Sequence, residues 1–240
     1  MEGPKVQLFV TCLIDSLAPE VGRATVDALE KAECVVEFPP EQGCCGQPAF
    51  NVGLVDDARV MAAHTLDVLD ATEGPVVIPS GSCAAMIARH YQGLFDTTDR
   101  TEQAGRVASR IRELTAFLVD ELEAEVTASC DGCTIAYHHS CHGLREMGLD
   151  HQAGRLLEDV ERADLDGARD CCGFGGLFSV EMPAVSEAIM DVKLDQIEAS
   201  GADTVVGSDI SCLLHIEGGL RRRGSPVTVK HIAQLLGDDS

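Results

Sequence analysis

The chain has 240 residues, 45% of them hydrophobic, which is enough for one large domain or two small ones with real cores. Its 40 acidic and 18 basic residues leave a formal charge of −22, which repels phosphate backbones and anionic headgroups and argues against nucleic acid as a partner. No stretch reaches the roughly 18 to 20 consecutive apolar residues of a membrane span, and Met1-Glu2-Gly3-Pro4 does not begin a basic-then-apolar leader, so the expected location is cytoplasmic.

In chain order, residues 5–11 form a β-prone run that delivers Cys12, and helical patterns cover 20–32 and 55–71. A buried-type strand at 76–79 precedes Cys83, which opens a helical pattern over 83–91. Between 102 and 125, Val107, Ile111, Leu114, Phe117, Leu118 and Leu122 fall at helical spacing and predict a bridging helix. The order then repeats: a β-prone run at 134–139 ahead of Cys141, helices over 152–160 and 183–200, a strand at 204–207 ahead of Cys212, and a helix over 211–222. Cys12, Cys44, Cys45 and Cys83 match Cys141, Cys171, Cys172 and Cys212 at a shift of 127 to 129 residues, which implies internal duplication. Strands alternating with helices predict an α/β fold of two pseudo-symmetric halves, 1–125 with the bridging helix and 126–240, packed on each other.

Eleven cysteines in a cytosolic chain point to metal or redox chemistry rather than disulfides. Each half supplies four thiols, the usual complement of an iron-sulfur cluster. The vicinal pairs Cys44-Cys45 and Cys171-Cys172 carry most of the information. Adjacent side chains diverge from the backbone and chelate a single tetrahedral ion awkwardly, whereas a multi-iron cluster offers them separate metal atoms. Zinc usually announces itself through close pairs such as CxxC and is the competing reading. Gly46 and Gly173, next in line, can take positive φ and bring backbone N–H groups toward sulfur.

Cys34, in an apolar run, reads as a buried hydrophobe. Cys130 and Cys133 form a CxxC without a counterpart in the first half, open to reading as a redox dithiol, an extra metal pair or a reduced local turn, with the turn preferred. His138, His139 and His142 flank Cys141, where they can hydrogen-bond to sulfur or move protons, although His138 and His139 must point oppositely on a strand. The other histidines carry no assigned chemistry. The run from Gly173 to Gly176 lacks both GxGxxG spacing and a ribose-binding acid, so it does not read as a nucleotide loop. The surface acidity, dispersed along the chain and paired with Arg more than Lys, suits the high-salt cytoplasm of a halophilic cell.

The two patterns resemble the cysteine-rich CCG domain found in tandem in a component of heterodisulfide reductase and in iron-sulfur subunits of glycolate oxidase. The blocks Cys12-Leu13-Ile14-Asp15, Cys44 to Asn51, Pro79 to Cys83, Cys171 to Gly176 and Lys230-His231-Ile232-Ala233 are similar to the LutA/YkgE lactate-utilisation family, from about Val6 to Leu236. This resemblance implies an electron-transfer subunit of a complex that oxidises L-lactate to pyruvate, an oxidoreductase component not active alone. Its partners would be a ferredoxin-like iron-sulfur subunit and a third subunit, with L-lactate a possible ligand. Ser80 and Asp209 stand where the heterodisulfide reductase pattern has a fifth cysteine. The expectation is therefore two [4Fe-4S] clusters held by the eight repeated cysteines, with Asp209 an additional oxygen donor. A thiol/disulfide oxidoreductase subunit, a glycolate oxidase-type subunit and a structural zinc module are the alternatives.

Overall fold

The structure, a computed structural model, describes residues 3–96 and 99–237. Short apolar runs become parallel strands. In the first half β1 (Lys5–Leu8), β2 (Val35–Glu37), β3 (Val76–Ile78) and β4 (Ile111–Glu113) form one parallel sheet in the order β2-β1-β3-β4. In the second half β5 (Ile135–His138), β6 (Thr204–Gly207) and β7 (Thr228–His231) form another, in the order β5-β6-β7. The pairing registers equate β1 with β5, β3 with β6 and β4 with β7. No second-half strand corresponds to β2 among the described residues; a single bridge from Ile135 to Arg162 takes its place.

Strand periodicity decides which side chain meets which core. Val77 of β3 enters one buried cluster with Val6, Leu8, Ile135, Val206 and Ile232, so that core is shared between the two sheets. Its neighbours Val76 and Ile78 turn the other way, into a cluster whose buried members, Phe9, Leu66 and Tyr91 among them, all come from the first half, with Met147 of the second half packed against it. A third cluster joins Ile14 and Val21 of the first half to Leu194, Val205 and Leu213 of the second. Two of the three cores therefore cross between halves, as the absence of a linker-like composition predicts. The Ile232–Gly237 helix closes the arrangement by packing on the Pro19–Lys31 helix, where Lys31 Nζ donates to the carbonyls of Leu236 (3.4 Å) and Gly237 (3.0 Å).

The bridging helix does not form as predicted. The Thr101–Arg110 helix stops, Ile111–Glu113 becomes β4, and helical structure resumes at Leu114–Ala116 and Phe117–Glu121, the latter wound as a π-helix. The backbone groups of a three-residue segment found better partners along β3 than in the helix, and apolar spacing alone cannot register that competition. The helix over 83–91 starts earlier, at Gly81, and passes through a π-helical turn at Met86–His90, while the one over 152–160 ends at Leu156.

Candidate metal centre

Each cysteine is delivered by a short element with its own cap. Thr11 and Ser140 are extended residues whose side-chain oxygens accept from the N–H groups of Ile14 (3.4 Å) and Gly143 (3.2 Å), which sets Cys12 and Cys141 at the first position of the Cys12–Leu17 and Cys141–Glu146 helices. Ser80 and Asp209 do the same for the Gly81–Ala85 and Ile210–Arg223 helices that carry Cys83 and Cys212. These helices pair across the halves. The Gly81–Ala85 helix packs on Cys141–Glu146, and Cys12–Leu17 packs on Ile210–Arg223. The first crossing is so close that a Cβ on Gly81 would lie 2.8 Å from the Cα of Gly143, so only glycine fits.

The vicinal cysteines diverge, one outward and one inward. Cys44 sits 3.8 Å from the exposed Cys12, whereas Cys45 lies 3.2 Å from the buried Cys83. In the second half Cys171 sits 3.9 Å from Cys141, and Cys172 lies with Cys212 in the buried interior. Gly46 and Gly173 have φ of 82° and 93°, and their N–H groups donate to Cys44 Sγ (3.5 Å) and Cys171 Sγ (3.3 Å). Hydrogen bonds from the neighbouring thiols, then these amides, hold Cys44 and Cys171 far below the ordinary thiol range. The same shared protons, with burial, push Cys12, Cys45, Cys141 and Cys172 upward.

All eight repeated cysteines line one cavity of about 320 Å³. A zinc ion bound by four thiolates at about 2.3 Å needs sulfurs about 3.8 Å apart on every edge. Among the described residues, no three thiols of either set come within 4.8 Å of one another; the one cluster at that spacing is His138, Cys172 and Cys212. In each set the thiols run as a chain of neighbours, Cys12, Cys44, Cys45 and Cys83 in the first, and not as the corners of one tetrahedron; four sulfur donors to a set are the complement of an iron-sulfur cluster.

The cysteine-rich CCG domain matches the chain twice, over residues 6–88 and 135–217. Lactate utilization protein A of Geobacillus kaustophilus is 47% identical over 237 residues, covering 97% of this chain and 98% of that protein. Its namesake in Shouchella clausii is 45% identical over 234 residues, covering 96% and 98%. The chain belongs to this family. A hypothetical protein from Helicobacter pylori shares the fold, with a TM-score of 0.71 at 12% identity over 99% of this chain, which spans 50% of that longer one.

In this tandem CCG protein the remaining predicted residues divide. His138 is buried beside Cys172 and Cys212, and burial pushes its pKa down to about 3. His139 points away and meets Tyr137 edge-on at 4.9 Å. His142 lines the cavity and faces Glu146 at 3.6 Å. Asp209 also lines the cavity, yet its carboxylate accepts from Ser82 N (2.8 Å), Ser80 Oγ (3.2 Å), Ser211 N (3.2 Å) and Ser211 Oγ (2.6 Å). Four donors from both halves make it a tie across the pseudo-symmetry axis, where Ser80 and Asp209 form an antiparallel bridge. Cys130 and Cys133 close a turn as a disulfide, with Gly132 at φ 66°, and the expectation of reduced thiols there is corrected. Cys34 is buried in the shared core.

Sequence reasoning missed Lys193, buried and donating from Nζ to the Gly167 carbonyl, and Tyr91, whose hydroxyl donates to the Cys45 carbonyl at 2.8 Å. A lysine inside an amphipathic helical pattern carries no mark of burial, although the scarcity of lysines in this chain was a usable signal. Phe174, Leu177 and Val180, on the cavity wall, were likewise missed.

Proposed function

We propose that the chain is the iron-sulfur electron-transfer subunit of a cytoplasmic complex that oxidises L-lactate to pyruvate, with the two halves divided near residue 126. The observation that carries this reading is the convergence of all eight repeated cysteines on one cavity, in two equivalent sets. Near full-length relatives named lactate utilization protein A, at 42 to 47% identity, supply the pathway.

Cys12, Cys44, Cys45 and Cys83 would hold one [4Fe-4S] cluster, and Cys141, Cys171, Cys172 and Cys212 the other. Such clusters accept and release single electrons, which matches a substrate that yields two electrons and two protons on conversion to pyruvate. The amides of Gly46 and Gly173 stabilise the thiolate at Cys44 and Cys171 without adding a charge. A ferredoxin-like iron-sulfur subunit and a third subunit complete the assembly. The acidic surface fits a high-salt cytoplasm.

Anaerobic purification should give about eight irons and eight acid-labile sulfides per chain. Stoichiometric zinc without sulfide would overturn the reading. The lactate assignment is tested separately: reconstitution with both partner subunits should reduce the cysteine-bound centres on addition of L-lactate, and this chain alone should not turn lactate over.

A further inference from the structure

The two cysteine sets are duplicates, but the side chains packed behind them are not. The strand registers make Phe9 and His138 equivalent: each directly follows its strand's partner to Val77 or Val206, and each sits three residues ahead of its cysteine. Phe9 is fully buried among Cys45, Cys83 and other apolar side chains. His138 is equally buried, its ring lies with Cys172 and Cys212 inside a 4.8 Å cluster, and among the described residues neither ring nitrogen has a hydrogen-bond partner.

A second difference points the same way. A Cβ on Gly46 would meet Ala58 and Met61, and one on Gly173 would meet Ser186 and Ile189, so the helices Val55–Asp70 and Pro183–Ser200 stand in the same relation to the two sites. In that alignment Thr65 of the first half becomes Lys193 of the second. Thr65 donates its hydroxyl to the Cys44 carbonyl at 3.4 Å. Lys193 brings a buried cation that feels the charges of Cys171, Cys172 and Cys212.

We propose that His138 and Lys193 make the second cysteine set the higher-potential of the two sites, with a His138 ring N–H donating to sulfur there. The inference rests on the iron-sulfur reading. A reduced cluster carries one more negative charge than an oxidised one, so a nearby N–H dipole and a buried cation both favour reduction. The unpartnered nitrogens matter because a buried imidazole without a partner is costly, and sulfur at this site is the acceptor within reach. The first half has Phe9 at the equivalent position, so on the iron-sulfur reading its four cysteines would serve without a histidine, which assigns His138 the role of donor and not of ligand. Asp170 is the strongest charge acting on Lys193, ahead of Cys172, Cys171 and Cys212, but it lies on the exposed surface, where solvent screens its effect on the sulfurs more than that of buried Lys193. Electrons entering the shared cavity then settle on the second set. His138 and Lys193 are tuning residues that act through the cluster.

The test is an EPR-monitored redox titration of the anaerobic protein, with iron and sulfide measured on each sample. Wild type should show two separate midpoints. His138→Phe and Lys193→Thr, each the residue the first half uses, should lower the upper midpoint and leave the lower one in place, with iron unchanged. His138→Asn, which keeps an N–H donor, should recover part of the shift, and Phe9→His should raise the lower midpoint. Lys193→Met serves if the threonine variant fails to fold. Midpoints that stay put, or a shift in the lower one instead, would overturn the proposal. So would loss of iron specific to the histidine variants, since that makes His138 a ligand. Wild-type protein without acid-labile sulfide would instead defeat the underlying iron-sulfur reading.

Discussion

Gly46 and Gly173 show how much of the centre depends on single backbone positions. Both take positive φ, which costs an L side chain about 1 to 3 kcal/mol. The space differs: a Cβ would lie 3.1 Å from the Ala58 carbonyl at the first and 2.6 Å from the Ser186 carbonyl at the second. Both alanine variants should therefore lose about 1 to 3 kcal/mol in chemical denaturation, Gly173→Ala the more of the two. Each should also lose the amide that points at its thiol, and iron content per chain should fall toward half. The same amides yield a prediction for metal-free protein. Thiolate is the nucleophile that iodoacetamide alkylates, and Cys44 and Cys171 are the thiols held below their ordinary range. At pH 6 iodoacetamide should modify these two first, as read by peptide mass spectrometry. If the exposed Cys12 reacts fastest instead, accessibility and not thiolate character governs the site.

At the scale of elements, the ends of β4 and β7 hold a matched pair of buried titratable groups. Glu113 pairs with Ile78 and His231 with Gly207, so the two are equivalent, and each caps the turn that follows: Glu113 Oε2 accepts from Thr115 N (2.7 Å), and His231 Nδ1 from Ala233 N (3.2 Å). Among the described residues Glu113 Oε1 is buried without a hydrogen-bond partner, while the His231 ring also faces the carbonyls of Ser208 and Pro79. Burial raises Glu113 to about 7 from 4.5 and lowers His231 to about 4 from 6.5. Folded protein holds the Glu113 proton more tightly than unfolded, so its stabilising effect is complete below pH 4.5 and is lost as pH rises through 7. For His231 folded protein holds the proton less tightly, so stability is complete above pH 6.5 and is lost as pH falls through 4. Between pH 4.5 and 6.5 the two slopes oppose each other. Glu113→Gln should uncover a stability that rises with pH across that window, and His231→Asn one that falls, each by about 2 to 3 kcal/mol in denaturant titrations. Neither strand was legible in the sequence. The β-prone runs at 5–11, 76–79, 134–139 and 204–207 announced themselves because they are buried on both faces and bounded by turns. β2, β4 and β7 are edge strands that are only partly buried, so their pairing comes from the sheet beside them. The eight cysteines were legible through adjacency and repetition, and His138 and Asp209 through their places beside Cys141 and Cys212; Lys193 was not, because its helix meets the second cysteine set only through the fold.

For the whole molecule the governing quantity is charge. Two cores and the Asp209 tie hold the halves together, but the folded chain concentrates a formal charge of −22 on a small surface. Ion pairs relieve part of this. Arg223 alone reaches Asp191 (2.9 Å), Asp195 (2.7 Å) and Glu198 (3.0 Å), and Arg100 reaches Asp67 at 2.6 Å. Salt acts on these two contributions in opposite directions. It weakens exposed pairs, each worth about 0 to 1 kcal/mol, and it screens the repulsion among the unpaired carboxylates. With 40 acidic residues against 18 basic ones, most acids have no cation to lose, so relief of repulsion wins. Raising KCl from about 0.1 M to about 1 M shrinks the screening length from about 10 Å to about 3 Å. The thermal midpoint of the anaerobic protein should climb steadily across that range, and KCl and NaCl should act alike if screening is the cause. A midpoint that falls with salt would place the ion pairs above the net charge in the balance. Sulfate at equal ionic strength separates screening from surface exclusion, because only exclusion makes sulfate the stronger stabiliser.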